Sequence, residues 1–318
     1  MIEAYPYKNI FDLNAVIPEK ITLIDHLNGF DSDENNSVLR TLDNRAQKLG
    51  VTYFVRLHNV LESLVSKQYN NLLITFDAEL QDKQNFLEFK KYTTHPELNF
   101  KNFVCSFNGS AHVSRKFLVS ILQKFGYFNP EYCSKNFSYS LDSLDGIIWD
   151  YTNVQHRFYR KFFISDDSEE FFQKIHSFGH VRFDHTNNIY NLENKLTQSF
   201  IHIVSETMAT SYQPFVTEKF LYSVVTRGLF LSYAQPGWHD HLEKYYGFKQ
   251  YTKLFDYRFD AIQNPVERLV ELMSMLSKFS MLTPHEWHDL YLLEQDTIEY
   301  NYNHYFSQDY LTCLEKFR

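Results

Sequence analysis

The chain is poor in glycine and in cysteine. Only 9 of its 318 residues are glycine, and no G-x-x-x-x-G-K-[ST] or G-x-G-x-x-G occurs, so the familiar triphosphate and dinucleotide signatures are missing. No G-x-S-x-G elbow offers a nucleophilic serine, and no H-E-x-x-H offers a zinc site. The three cysteines, Cys105, Cys133 and Cys313, are scattered and form no C-x-x-C, which points to unpaired thiols in a reducing compartment. The first residues lack a basic stretch followed by an apolar core, so no signal peptide is expected. No apolar run approaches the roughly 20 residues of a membrane span. A cytoplasmic location is the expectation. Excess positive charge is also lacking: the net charge is -8, which argues against broad coating of nucleic acid and leaves only a local basic cleft open.

Aromatic residues are abundant, with 23 Tyr and 30 Phe. Most are expected in the core, and any on a groove wall suit sugars or bases, which stack on ring faces. The length allows two α/β domains or one large one. Apolar runs at 21–24, 51–55 and 72–76 read as strands, with helical spacing at 38–49 and 60–65 between them. The first ends at Asp25-His26 and the third at Asp77. Ligands of parallel sheets sit at the carboxyl ends of strands, so Asp25, His26 and Asp77 are candidates for one cleft wall. The expected domain boundary lies near residue 100, giving units 1–100 and 101–318. A strand at 103–107 then leads through Asn108-Gly109-Ser110 into a helix that opens with Ser114-Arg115-Lys116, a start suited to phosphate. Residues 129–165 read as irregular.

The most informative stretch is 200–230. An apolar strand at 200–204 is followed by Glu206, a polar loop, a helix opening at Thr217-Glu218-Lys219, and a second strand at 229–233. A lysine there suits a diphosphate, and a carboxylate suits the two hydroxyls of a ribose. The plain alternative for Glu218 is a favourable solvated first turn. For Arg115 and Lys116 it is two surface cations, with Lys116 facing solvent, and for Glu206 a cap. Asp31-Ser32-Asp33 has D-x-D spacing but reads better as a helix cap. His239 and His241 diverge on a helix, and His285 and His288 have no cysteine near them. No metal site is expected.

These residues carry a resemblance. The run Phe215-Val216-Thr217-Glu218-Lys219-Phe220 resembles the Y-V-T-E-K-F segment of α-1,3-fucosyltransferases. Residues 203–207, IVSET, resemble their A-F-E-N-S strand end, and residues 103–116 resemble their strand, Asn-rich loop and Arg-bearing helix. The continuation PGWHDHLEKYYGF (236–248), NPVERLVELM (264–273), LTPHEWHDLY (282–291) and YNYNHYF (300–306) resembles a wider set of phage-encoded glycosyltransferase-like proteins. Together the matches cover about the last two thirds of the chain. The resemblance implies a glycosyltransferase-B fold: two Rossmann-like domains facing across a cleft, with a C-terminal helix crossing back. It implies a UDP- or GDP-sugar donor and no required metal or other cofactor. Arg115 and Lys219 would contact the diphosphate, Glu218 the ribose, and Glu206 would lie near the donor sugar, with Lys116 and Thr217 beside them. The doubled arginine of the family is Arg115-Lys116 here, and the N-terminal part matches no motif. Asp25, His26 and Asp77 therefore remain the base candidates. A hydroxymethylated base of phage DNA and a surface glycan or lipid-linked sugar are the two expected acceptors. A non-catalytic nucleotide- or carbohydrate-binding relative and a tyrosine-rich structural protein are the rival readings.

Overall fold

The computed structural model describes residues 3–4, 20–23, 32–58, 69–77, 98–108, 113–135, 188–206, 209, 214 and 216–315. Among these residues the protein is α/β, with two four-stranded sheets in which every paired strand is parallel. The first sheet holds β1 (Glu3–Ala4), β2 (Lys20–Leu23), β3 (Tyr53–His58) and β4 (Leu72–Asp77) in the spatial order β1-β2-β3-β4. Helix α1 (Ser32–Leu49) joins β2 to β3. Its Leu39, Leu42 and Ala46 are buried, a spacing that lines one helical face. Gly50 ends it with φ +65°, a conformation that favours glycine. Ser32 and Asp33 lie in this helix, which starts nearly two turns earlier than the sequence pattern places it. Asp31 and the helical spacing at 60–65 lie outside the described residues.

The second sheet holds β5 (Asn102–Asn108), β6 (Cys133–Lys135), β7 (Ser199–Ser205) and β8 (Leu229–Tyr233) in the order β6-β5-β7-β8. Helix α2 (Val113–Lys124) follows β5, and helix α3 (Asn188–Thr197) precedes β7. A 3-10 turn (Glu218–Phe220) runs into the short helix α4 (Leu221–Val225) between β7 and β8. Strand β6 falls within the stretch read as irregular. It is only three residues long, too short to show a period, and its pairing with β5 makes it a strand. Asn108 N–H donates to Ser134 Oγ at 3.0 Å across that edge.

Both β7 and β8 are buried along their whole length. That is the reason their sequences, SFIHIVS and LFLSY, run apolar with little alternation. At Gly228, just before β8, an added Cβ would lie 2.0 Å from His202 Cε1, so the close approach of the β7 imidazole requires glycine there. Beyond β8 come α5 (Trp238–His241), which continues as a π turn over Leu242–Tyr246, a 3-10 turn (Tyr257–Ala261), and helices α6 (Pro265–Ser280), α7 (Pro284–Leu293), α8 (Gln295–Phe306) and α9 (Asp309–Glu315). Helices α6 and α7 each start on a proline behind a side-chain cap, Asn264 and Thr283. The core is built on aromatic contacts: Phe200 stacks on Trp287 at 5.8 Å, and Phe220 meets Phe248 edge-on at 5.0 Å. No helix of the described residues is long and apolar enough to cross a membrane.

Candidate functional site

The order β6-β5-β7-β8 places the point where the winding reverses between β5 and β7. The chain leaves β5 for β6 on one side and returns to β7 on the other. Crossover helices diverge at such a point, and ligands of α/β proteins bind in the crevice outside the strand ends there. A cavity of about 330 Å³ lies against these two strands, within the size range of small-ligand sites. Ser106 and Phe107 of β5, Val204 and Ser205 of β7, and Leu192 and Leu196 of α3 form part of its wall. Arg115 at the start of α2 and Lys219 between β7 and α4 bring two cations to the same wall, with Tyr222 and Ser223 beside Lys219.

Glu206 and Thr217 are among the groups that hold Lys219. Its Nζ donates to Glu206 Oε2 at 3.2 Å and to Thr217 Oγ1 at 2.7 Å. Thr217 donates twice to the same carboxylate, through its N–H to Oε1 at 3.1 Å and through its hydroxyl to Oε2 at 2.7 Å. The Glu206 side chain is 0% exposed and that of Lys219 25%. Thr217 also caps the 3-10 turn by accepting from Lys219 N–H. The turn and α4 together span only residues 218–225, and the first turn is 3-10 where the sequence suggests one helix. An anion placed at this point would meet side chains, because the macrodipole of so short a helix adds little.

Arg115 and Lys116 are both buried. The expectation that Lys116 faces solvent is incorrect. Residues 114–122 of α2 are buried without interruption, so this part of the helix has no solvent face. Burial pushes the Lys116 ammonium down to about 8, because a low-dielectric surrounding disfavours the charged form. Lys135, which ends β6 in register with Asn108, is lowered for the same reason. Asn108 is fixed by its amide, whose Nδ2 donates to Ser106 Oγ at 3.1 Å and to the Ser134 carbonyl at 3.3 Å.

Of the residues singled out in the sequence, Arg115 and Lys219 line the cavity. Thr217 and Glu206 join Lys219 through hydrogen bonds, while Lys116 and the half-buried Glu218 are not among the lining residues. Asp77 ends β4 and is paired in register with His58 of β3, a neighbour the sequence pattern did not single out. Asp25 and His26 lie outside the described residues. Sequence reasoning also missed His202, which lies on the cavity wall and whose Nε2 contacts the Leu196 carbonyl at 2.9 Å. Burial pushes its imidazole down to about 4, so the ring is neutral near pH 7.

Two other polar groups have structural work. His239 Nε2 accepts from Ser232 N–H at 3.0 Å, and its Nδ1 lies 2.9 Å from Asp260 Oδ1. A main-chain amide occupies the nitrogen that a general base would use, so this His-Asp pair joins β8 to the turn at 257–261 instead of moving protons. The buried Arg268 donates to the main-chain oxygens of Ile262, Gln263 and Ala209. It braces loops instead of meeting an anion. Cys105 and Cys133 are buried thiols whose ionisation is pushed up by burial, well above the ordinary value for Cys105 and to about 11 for Cys133, which makes them poor nucleophiles. Comparison of the chain with family models, with curated proteins and with solved structures finds no match.

Proposed function

We propose that this chain is a glycosyltransferase of the glycosyltransferase-B type that moves a sugar from a UDP- or GDP-sugar to an acceptor hydroxyl without a required metal. The observation that carries the reading is the convergence of Arg115 and Lys219 on one cavity at the winding reversal of a parallel sheet. The resemblance around Thr217-Glu218-Lys219 and Arg115 supports it independently of that geometry. In this reading residues 101–318 hold the donor, residues 1–100 face them across the cleft, and a C-terminal helix crosses back.

The chemistry follows from charge. The acceptor oxygen attacks the anomeric carbon, the bond from that carbon to the diphosphate oxygen breaks, and a base takes the acceptor's proton. Negative charge grows on the departing diphosphate, where Arg115 and Lys219 stabilise it. Glu218 receives the ribose hydroxyls. The base comes from Asp25, His26 or Asp77 on the N-terminal side. The acceptor is a hydroxymethylated base of duplex DNA or a glycan, and the former requires a basic cleft and a flipped base.

The test is calorimetric titration with UDP, GDP and their sugars, followed by transfer assays on hydroxymethylated duplex and on glycan acceptors. Lys219→Ala is expected to stay folded while donor affinity falls about 100-fold, close to 2.8 kcal/mol. Failure of every nucleotide diphosphate to bind the wild-type chain would overturn the reading. Binding without transfer or hydrolysis would mark a non-catalytic relative.

A further inference from the structure

We infer that Glu206 is the positioning residue of the donor site: it does not touch the ligand, but sets Lys219 in place and serves as its counter-ion while the site is empty. This rests on the nucleotide-sugar reading above and revises the place the resemblance implies for Glu206, near the donor sugar.

Glu206 is fully buried, and among the described residues its two carboxylate oxygens accept three hydrogen bonds, all from Thr217 and Lys219. Replacing the Lys219 ammonium by a sugar hydroxyl would leave a buried charge with only neutral donors. Thr217 works as a relay. Its hydroxyl gives its proton to Glu206 Oε2 and accepts from Lys219 Nζ at 2.7 Å, so the ammonium is fixed by a charged and a neutral oxygen together. Of these three residues only Lys219 lines the cavity.

The arrangement has two consequences. A lysine side chain carries large rotamer freedom that a ligand must otherwise freeze, and a lysine already held loses less on binding. A carboxylate at 3.2 Å also offsets the cation while no ligand is present. Two cations on one wall otherwise attract any small anion. A diphosphate, with its larger charge, keeps the advantage because it meets Arg115 as well.

The experiment is a double-mutant cycle read by calorimetric titration with UDP and GDP, on the wild-type chain, Glu206→Gln, Lys219→Ala and the double variant. Glu206→Gln keeps the side-chain shape and removes the charge. It is expected to weaken the diphosphate about tenfold or more, and Lys219→Ala to weaken it further. The double variant is expected to bind no more weakly than Lys219→Ala alone, because Glu206 acts only through that lysine. Additive losses overturn the inference, since they mark either direct ligand contact or general damage to the fold. An unchanged affinity in Glu206→Gln overturns it as well. Should Glu206→Gln fail to fold, Thr217→Val carries the same cycle by removing the relay hydroxyl. A wild-type chain that binds neither UDP nor GDP ends the donor-site reading and this inference with it. Binding with an additive cycle ends the inference alone.

Discussion

The two parallel sheets differ in strand order and in how they are buried. The first runs β1-β2-β3-β4 without reversal, while the second reverses between β5 and β7. In the first, burial alternates at the described side chains: Tyr53, Val55 and Leu72 are covered, but Phe54 and Leu73, paired in register, are 43% and 53% exposed. In the second, β7 and β8 are covered on both faces. A sheet sealed on both sides lowers the local dielectric at its edge. A single carboxylate there can hold a lysine firmly, where a solvent-exposed pair contributes little. In the proposed reading the second sheet recognises the anion and the first supplies the base.

That division can be broken most severely at Asp77. Asp77→Asn is expected to slow sugar transfer by about 10²- to 10⁴-fold if this carboxylate is the base, while UDP or GDP affinity stays unchanged. A transfer assay beside a calorimetric titration reads both. Loss of nucleotide binding in this variant would erase the functional contrast between the sheets.

The burial contrast predicts a smaller but clear difference in stability. Leu231 on β8 is fully buried, and Leu231→Ala is expected to cost roughly 3 kcal/mol in denaturant unfolding. Leu73→Ala on β4, at the half-exposed position, is expected to cost less than about 0.5 kcal/mol. Equal costs would mean that the two sheets are covered alike. Next in size is His239→Ala, which removes the imidazole from Asp260 Oδ1 and from Ser232 N–H while the main-chain N–H of residue 239 still donates to Asp260 Oδ2. About 2 kcal/mol of stability should be lost with nucleotide affinity retained, since the pair braces the fold away from the cavity. A loss of affinity matching that of Lys219→Ala would instead tie this pair to the site.

The last effect concerns acid. Burial, with Lys244 adding repulsion, pushes the His241 imidazole down to about 3 from an ordinary 6.5. Between those pH values the unfolded chain binds a proton that the folded chain does not, so stability falls as pH drops from about 6.5 toward 3. His241→Phe keeps a ring against Tyr245, which lies 4.6 Å away, and removes the proton site. Its melting temperature should therefore fall less steeply with acidification than that of the wild type. Parallel profiles would show that His241 is not among the groups responsible.

Much of this protein could be read from the chain alone, because local chemistry decides local structure. The apolar runs of β5, β7 and β8, the caps Asn264 and Thr283, and Gly126 and Gly247, which take positive φ after α2 and the π turn, each act within a few residues of themselves. Lys219 and Arg115 could be singled out because their charge sits at the starts of expected helices. The tertiary structure decided the rest. Strand β6 exists through its pairing with β5. Lys116 is buried because the surrounding elements leave its helix no solvent face. Glu206 is committed to Thr217 and Lys219 across a gap of 11 and 13 residues. No period or local propensity encodes which side chains will share a cavity. That depends on strand order, and strand order reversed where Arg115 and Lys219 meet.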